Sequence, residues 1–200
     1  MNRLADLHLR VREFGKARQG YEEALTIREA VASQHPDNVG YQRDVLVSIG
    51  RIANSLMLQE DWRNSLSKFE RVLAGFAALS ERRPQDLGLL RDVALTAKFI
   101  AIIQDNLGED RAALLGYREA ESVLKELEAK DPGTAQFQHD LFEIEFRSAE
   151  LHAAMGNRAS ALALYERALE RISRLRSADK GNKALLEKEA ATQRRIKGLS

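Results

Sequence analysis

HPDNVGYQRDV at residues 35–45 returns as RPQDLGLLRDV at 83–93 and as DPGTAQFQHDL at 131–141. The step between them is 48 residues, and it places Pro36, Pro84, Pro132 and Lys180 in one column. Two residues further on stand Asn38, Asp86, Thr134 and Asn182; fifteen before that first column stand Tyr21, Phe69, Tyr117 and Tyr165. A fixed period of this size marks a solenoid, in which each unit buries its apolar face only by stacking on its neighbours.

The column Asn38, Asp86, Thr134, Asn182 holds residues whose short side chains accept hydrogen bonds from the free amides of a helix start. The proline two residues earlier stops the helix before it. Beyond the cap, Val45, Ile49, Ile52, Ala53 and Leu56 recur at helical spacing, as do Val93, Ala97, Ile100, Ala101 and Gln104. This predicts a helix A of about twenty residues. A break follows at Glu60-Asp61, Gly108-Glu109 and Gly156-Asn157, where glycine or a short polar residue turns the chain. A helix B then runs from about Trp62 to Arg82, with the stripe Ser65, Phe69, Val72, Phe76 and Leu79. Connections this short force A and B into antiparallel pairs, so the predicted fold is all-α.

The predicted array is a single one over residues 1–200, with a partial unit at 1–37, units at 38–85, 86–133 and 134–181, and a capping helix at 182–200. The last helix is polar (Glu187, Lys188, Glu189, Gln193, Arg194, Arg195, Lys197), as a terminal repeat needs to be for solubility. The first half-helix carries Leu4, Leu7, Leu9 and Val11 without such a cap. It is expected to pair with a second copy, giving a homodimer, or with a preceding domain.

Composition narrows the function classes. Lys and Arg number 31 against 30 Asp and Glu, so no global attraction to nucleic acid or to an anionic membrane follows. The absence of cysteine removes disulfides, thiolate metal sites and cysteine nucleophiles, and fits a cytoplasmic protein. No apolar run reaches the ~20 residues of a membrane span, and MNRLADLHLRVREF is not a secretory signal.

Helix B repeats a small-aromatic-small pattern: Ala17, Tyr21, Ala24; Ser65, Phe69, Val72; Ala113, Tyr117, Ala120; Ala161, Tyr165, Ala168. With the small residues Ala5, Ala53, Ala101 and Ala149 in helix A, it resembles the tetratricopeptide (TPR) repeat. The family period is about 34 residues, and the helices here are longer. The three quoted segments resemble the long TPR-like repeats of bacterial multidomain signalling proteins, where such arrays often follow kinase or other regulatory domains. The resemblance implies a right-handed superhelix whose A helices line a concave face that holds peptides or partner proteins.

No constellation in the sequence points to an enzyme, a metal or a cofactor. His139 and His152 are thirteen residues apart and do not form a metal pair at i, i+4; the four histidines read as structural or surface residues. Asp44, Asp92 and Asp140, preceded by Arg43, Arg91 and His139, form either a ladder of contacts or helix-start charges paired with adjacent helices. The stretch from Arg167 to Lys197 holds ten basic residues, read as a solvated end in preference to a nucleic-acid footprint, since no aromatics interleave them. Counting round helix A away from its buried stripe gives the candidate partner-binding residues Asn54, Met57, Lys98, Phe99, Ile102, Asp105, Phe146, Arg147 and Glu150. The expected function is a protein-interaction scaffold gripping a partner through apolar anchors, with specificity from Lys98, Asp105, Arg147 and Glu150. The alternatives are an oligomerisation or regulatory segment of a larger signalling enzyme and, third, a nucleic-acid-binding repeat.

Overall fold

In the computed structural model, which describes residues 2–199, four helices start one residue beyond the cap column, at Val39, Leu87, Ala135 and Lys183. The order is α1 (Asn2–Arg10), α2 (Phe14–Gln34), α3 (Val39–Met57), α4 (Trp62–Arg82), α5 (Leu87–Asn106), α6 (Asp110–Lys130), α7 (Ala135–Ala154), α8 (Arg158–Ala178) and α9 (Lys183–Leu199). Every regular element among the described residues is helical. Odd-numbered helices correspond to helix A of the repeat and even-numbered ones to helix B.

The caps work at three of the four positions. Asn38 accepts from the Tyr41 amide, Asp86 from Gly88 and Leu89, and Asn182 from Leu185. Thr134 caps nothing; its hydroxyl donates instead to Asp131 at 2.5 Å, a carboxylate where the two earlier repeats have His35 and Arg83. Asn182 meets the equivalent carboxylate, Asp179, with its amide nitrogen, which leaves its oxygen for the cap.

The A-to-B turn is one device used throughout. Arg12, Glu60, Gly108 and Gly156 share a column and all have positive φ, from 61° to 78°. At three of them the next amide reaches back five residues, Glu13 to His8, Asp61 to Leu56 and Asn157 to His152, at 2.8–3.0 Å. This bond satisfies a carbonyl that the helix end would leave free. Only two of the four positions carry the glycine that this conformation favours.

The helices fall into two compact units, Met1–Leu107 and Gly108–Ser200. In the first unit, α1 packs on α2, α2 on α3, α3 on α4 and α4 on α5. The helix-B stripe reads as expected: Ser65, Phe69, Val72, Phe76 and Leu79 are the buried residues of α4. In the second unit, α6 packs on α7, α7 on α8 and α8 on α9. There Glu189, expected in a solvated capping helix, is buried. Arg176 forms an ion pair with it and Ser173 donates to it at 2.5 Å, so the carboxylate is satisfied inside the packing.

The turn column gives a test of opposite signs. Glu60→Gly is expected to raise stability by roughly 0.5–1 kcal/mol, and Gly156→Ala to lower it by about 1 kcal/mol. Urea unfolding of the two variants checks both, and a Glu60→Gly protein no more stable than the parent would refute the strain at Glu60.

Candidate protein-binding groove

Between α3 and α5 the surface opens into a groove of about 260 Å³, floored by Phe69, Val72 and Phe76 of α4. Its walls are Leu46, Val47, Gly50, Arg51 and Asn54 from α3 and Asp92, Leu95, Thr96 and Phe99 from α5. Phe99 lies flat against Phe69, with centroids 5.1 Å apart and planes at 14°. The two charged wall residues are both paired within the chain. Arg51 forms an ion pair with Asp6 of α1. Asp92 accepts two hydrogen bonds from Arg43 of α3, at 2.5 and 3.1 Å. The groove is therefore apolar and nearly charge-balanced.

Of the nine residues expected on a binding surface, Asn54 and Phe99 line this groove. Met57 is half-buried against the cluster of Ala53, Phe69 and Ile103. Asp105 and Arg147 are also half-buried. Glu150 accepts from Arg195 of α9 at 2.7 Å, and Phe146 packs edge-on against Tyr165, 5.4 Å away. Two expectations are corrected. Lys98 is only 4% exposed and Ile102 8%, so neither offers a side chain to a partner. Helix α5 is apolar around more of its circumference than α3, and packing covers both columns. The Lys98 ammonium sits 5.2 Å from the ring centroid of Phe99, where a cation is attracted to the aromatic face.

The other patterns resolve into internal contacts. Arg43 pairs with Asp92 of the next helix A, which is the adjacent-helix reading of the Arg-Asp column. Of the ten basic residues between Arg167 and Lys197, six (Arg167, Arg171, Arg174, Arg176, Lys188, Arg195) face carboxylates of the same unit. That neutralises most of the local excess a nucleic acid would need. The histidines make internal contacts: His8 with Glu13 at 2.5 Å, His152 with Asn157 at 3.5 Å and His139 with Lys188 of α9 at 2.9 Å, while His35 packs on Tyr41.

Two polar constellations escaped the sequence reading. The first is Asp6, Tyr21 and Arg51: the Tyr21 hydroxyl donates to Asp6 at 2.7 Å beside the Arg51 ion pair. Burial pushes the Asp6 carboxyl up, but the bonds from Tyr21 and Arg51 outweigh it and hold the group below the usual carboxylate range. Burial, with Asp6 alongside, pushes the Tyr21 phenol up to about 12. Three repeat steps on, Glu150, Tyr165 and Arg195 occupy the same columns. Reading those three columns together would have found both. The second is Glu145, fully buried on α7 at a position where α3 has Ile49. Arg171 donates to it at 2.9 Å and also to Glu128 at 3.0 Å; burial raises the Glu145 carboxyl above its ordinary range despite Arg171 and the nearby Arg167.

The family model described as tetratricopeptide repeat matches residues 1–37. Among solved structures, BtubC (BKLC) from P. vanneervenii superposes with a TM-score of 0.65 at 16% identity, over 93% of this chain and 65% of that one. The yeast histone chaperone Hif1 superposes with a TM-score of 0.57 at 11% identity, over 94% of this chain and 97% of that one. This is a TPR-like helical-repeat fold. The chain spans just under two thirds of the length of BtubC. No curated protein sequence matches it. No helix among the described residues of the TPR-like chain is long and apolar enough to cross a membrane.

The burial of Lys98 predicts that Lys98→Glu acts on folding rather than on recognition. A carboxylate in that buried site is expected to cost about 3 kcal/mol, read as a lower melting temperature. An unchanged melting temperature would contradict the placement. At Asp6 the folded carboxyl titrates below its unfolded value, so its contribution is present above the ordinary carboxylate range. That contribution is lost as pH falls through the folded value. Tyr21→Phe removes one of the bonds that lower it, and carbon NMR is expected to show Asp6 titrating at higher pH than in the parent. An unmoved titration would mean that the hydroxyl does not support the carboxylate.

Proposed function

We propose that this chain is a non-enzymatic protein-interaction scaffold that holds a segment of a partner protein along the helix-A side of its repeats. The observation that carries the reading is the groove between α3 and α5, an apolar floor and walls whose charged edges are already paired. Such a surface suits an apolar anchor side chain with polar neighbours, the way a partner segment gains most of its affinity from a few buried groups. The TPR-like fold supports the reading, and Hif1, which shares that fold, is a scaffold protein recruiting protein complexes to core histones. Asn54 and Phe99 are the contact residues of the first unit, and Glu150 and Arg147 stand in the corresponding columns of the second. The cysteine-free composition is the reason to place it in the cytoplasm.

A photo-reactive benzoylphenylalanine in place of Asn54, with one in place of the exposed Glu22 of α2 as control, tests the site in the native cell. The expected outcome is a discrete crosslinked polypeptide from position 54 and none from position 22. Equal labelling at both positions, or none at 54, would end the reading.

A second reading, self-association through the first half-helix, is favoured by one observation. Leu4, Leu7 and Val11 are 63%, 55% and 58% exposed, whereas Ile52, in the column of Leu4, is 3% exposed. The solution mass of the full chain separates the two readings, since a strict monomer rules out the homodimer.

A further inference from the structure

Gly50 lies in the middle of α3, and a Cβ built there would meet nothing within 4 Å. Neither its backbone nor its surroundings call for glycine, which weakens a helix interior wherever a side chain would fit. The contrast is Gly75 of α4, where an added Cβ would run into a Leu46 methyl. What the missing side chain at Gly50 leaves open is the groove between α3 and α5.

The same chain shows what fills such a place. Two repeat steps on, the column of Gly50 holds Phe146. Its ring packs edge-on against Tyr165 at 5.4 Å and lies 5.8 Å from Phe142. Tyr165 and Phe142 occupy the columns of Phe69 and Leu46, both of which line the groove beside Gly50. The second unit thus fills this place from within, whereas in the first Phe99 covers Phe69 and the place beside Gly50 stays open.

We infer that the notch at Gly50 takes an aromatic side chain, phenylalanine in the first instance, from a partner peptide. It would lie against the half-buried Leu46, Leu95 and Phe99, above Phe69, in the place that Phe146 takes beside Phe142 and Tyr165. The inference deepens the scaffold reading and rests on it. The volume is adequate: the groove is about 260 Å³, and an apolar cavity of about 150 Å³ already accommodates benzene. The charge is right as well. Arg51 and Asp92 at its edges are neutralised by Asp6 and Arg43 respectively, so a charged side chain entering the notch would be desolvated without a free partner, whereas a phenyl ring would not. An offset or edge-on contact with Phe99 adds to the burial of the ring.

The probe is the peptide acetyl-Ala-Phe-Ala-amide with its Leu and Lys counterparts, titrated into the full chain and followed by methyl NMR. The expected result is saturable shifts at the Val47 and Leu95 methyls with the Phe peptide, several-fold weaker binding of the Leu peptide and no saturation with Lys. Gly50→Phe is expected to fill the notch from within. Its melting temperature should equal or exceed the parent's, and binding of the Phe peptide should fall at least ten-fold. Gly50→Leu serves as the second variant should the larger side chain perturb folding. Absence of saturable shifts, equal affinity for the Leu or Lys peptide, or undiminished binding by both well-folded variants would each overturn the inference. A partner crosslinked from position 54 and captured equally by Gly50→Phe would overturn the aromatic anchor while leaving the scaffold reading in place. Absence of any crosslink from position 54 without the Gly50 substitution, with saturable Phe-peptide binding intact, would overturn the scaffold reading while leaving the notch's preference for an aromatic side chain.

Discussion

The contact on which each unit depends is that between the aromatic ring of helix B and the small residue of helix A that faces it. In the first unit Tyr21 shares one cluster with Ala5 and Ala17, and Phe69 another with Ala53. In the second, Tyr165 stands with Ala149 and Ala161. The alanines let the helix axes approach, and the ring fills the space between them; burying each ring contributes roughly 2 kcal/mol. Residues of the following helix A complete the same clusters, Ile52 with Tyr21 and Ile103 with Phe69. One ring therefore closes a helix pair and joins it to the next, and a helix pair taken alone would leave that ring half-covered. This is the physical content of the repeat, and it explains why these columns vary so little in size from one unit to the next.

Because packing fixes these columns, the polar chemistry is confined to the ones beside them. The column that holds Asp6 holds Asn54 one repeat on, and the column of Arg51 holds Phe99. Where the first rung is an ion pair with a tyrosine hydroxyl, the second is an aromatic stack of Phe99 on Phe69 beside an asparagine. The exchange removes two opposite charges together, so no unpaired charge is left buried at either rung. It also converts a polar seam into an apolar one, which is what makes the groove between α3 and α5 different from the surface beside α1.

Most of the fold was legible in the sequence, since cap, stripe and turn are local properties and repetition multiplies the signal. The starts of α3 and α4 and the buried face of α4 follow directly from periodicity. What could not be read was the consequence of neighbours. Thr134 belongs to a cap column and yet bonds Asp131, a competition set by one residue three positions away. Lys98 and Ile102 stand in columns that are more open on α3, but the same columns of α5 are covered. Helical spacing gives the direction of a side chain and says nothing of what approaches it from the next helix. The buried pair Glu145 and Arg171 shows the same limit: a carboxylate in an otherwise apolar column looks like a departure until the arginine from α8 is seen beside it.

The column of Gly50, Lys98, Phe146 and Arg194 brings these strands together. One geometric position holds an open notch, a buried ammonium beside a ring, a phenyl packed on its own core and an exposed arginine. A position under a single packing constraint would not accept four such different side chains, so the constraint here is local to each repeat. Lys98 and Phe146 pack within the protein and Arg194 extends into solvent, and only glycine leaves the place beside it to be used by something else. In a fold whose stability comes from columns that repeat, a helix-weakening residue at an unobstructed position is the clearest place to look for a contact made with another molecule.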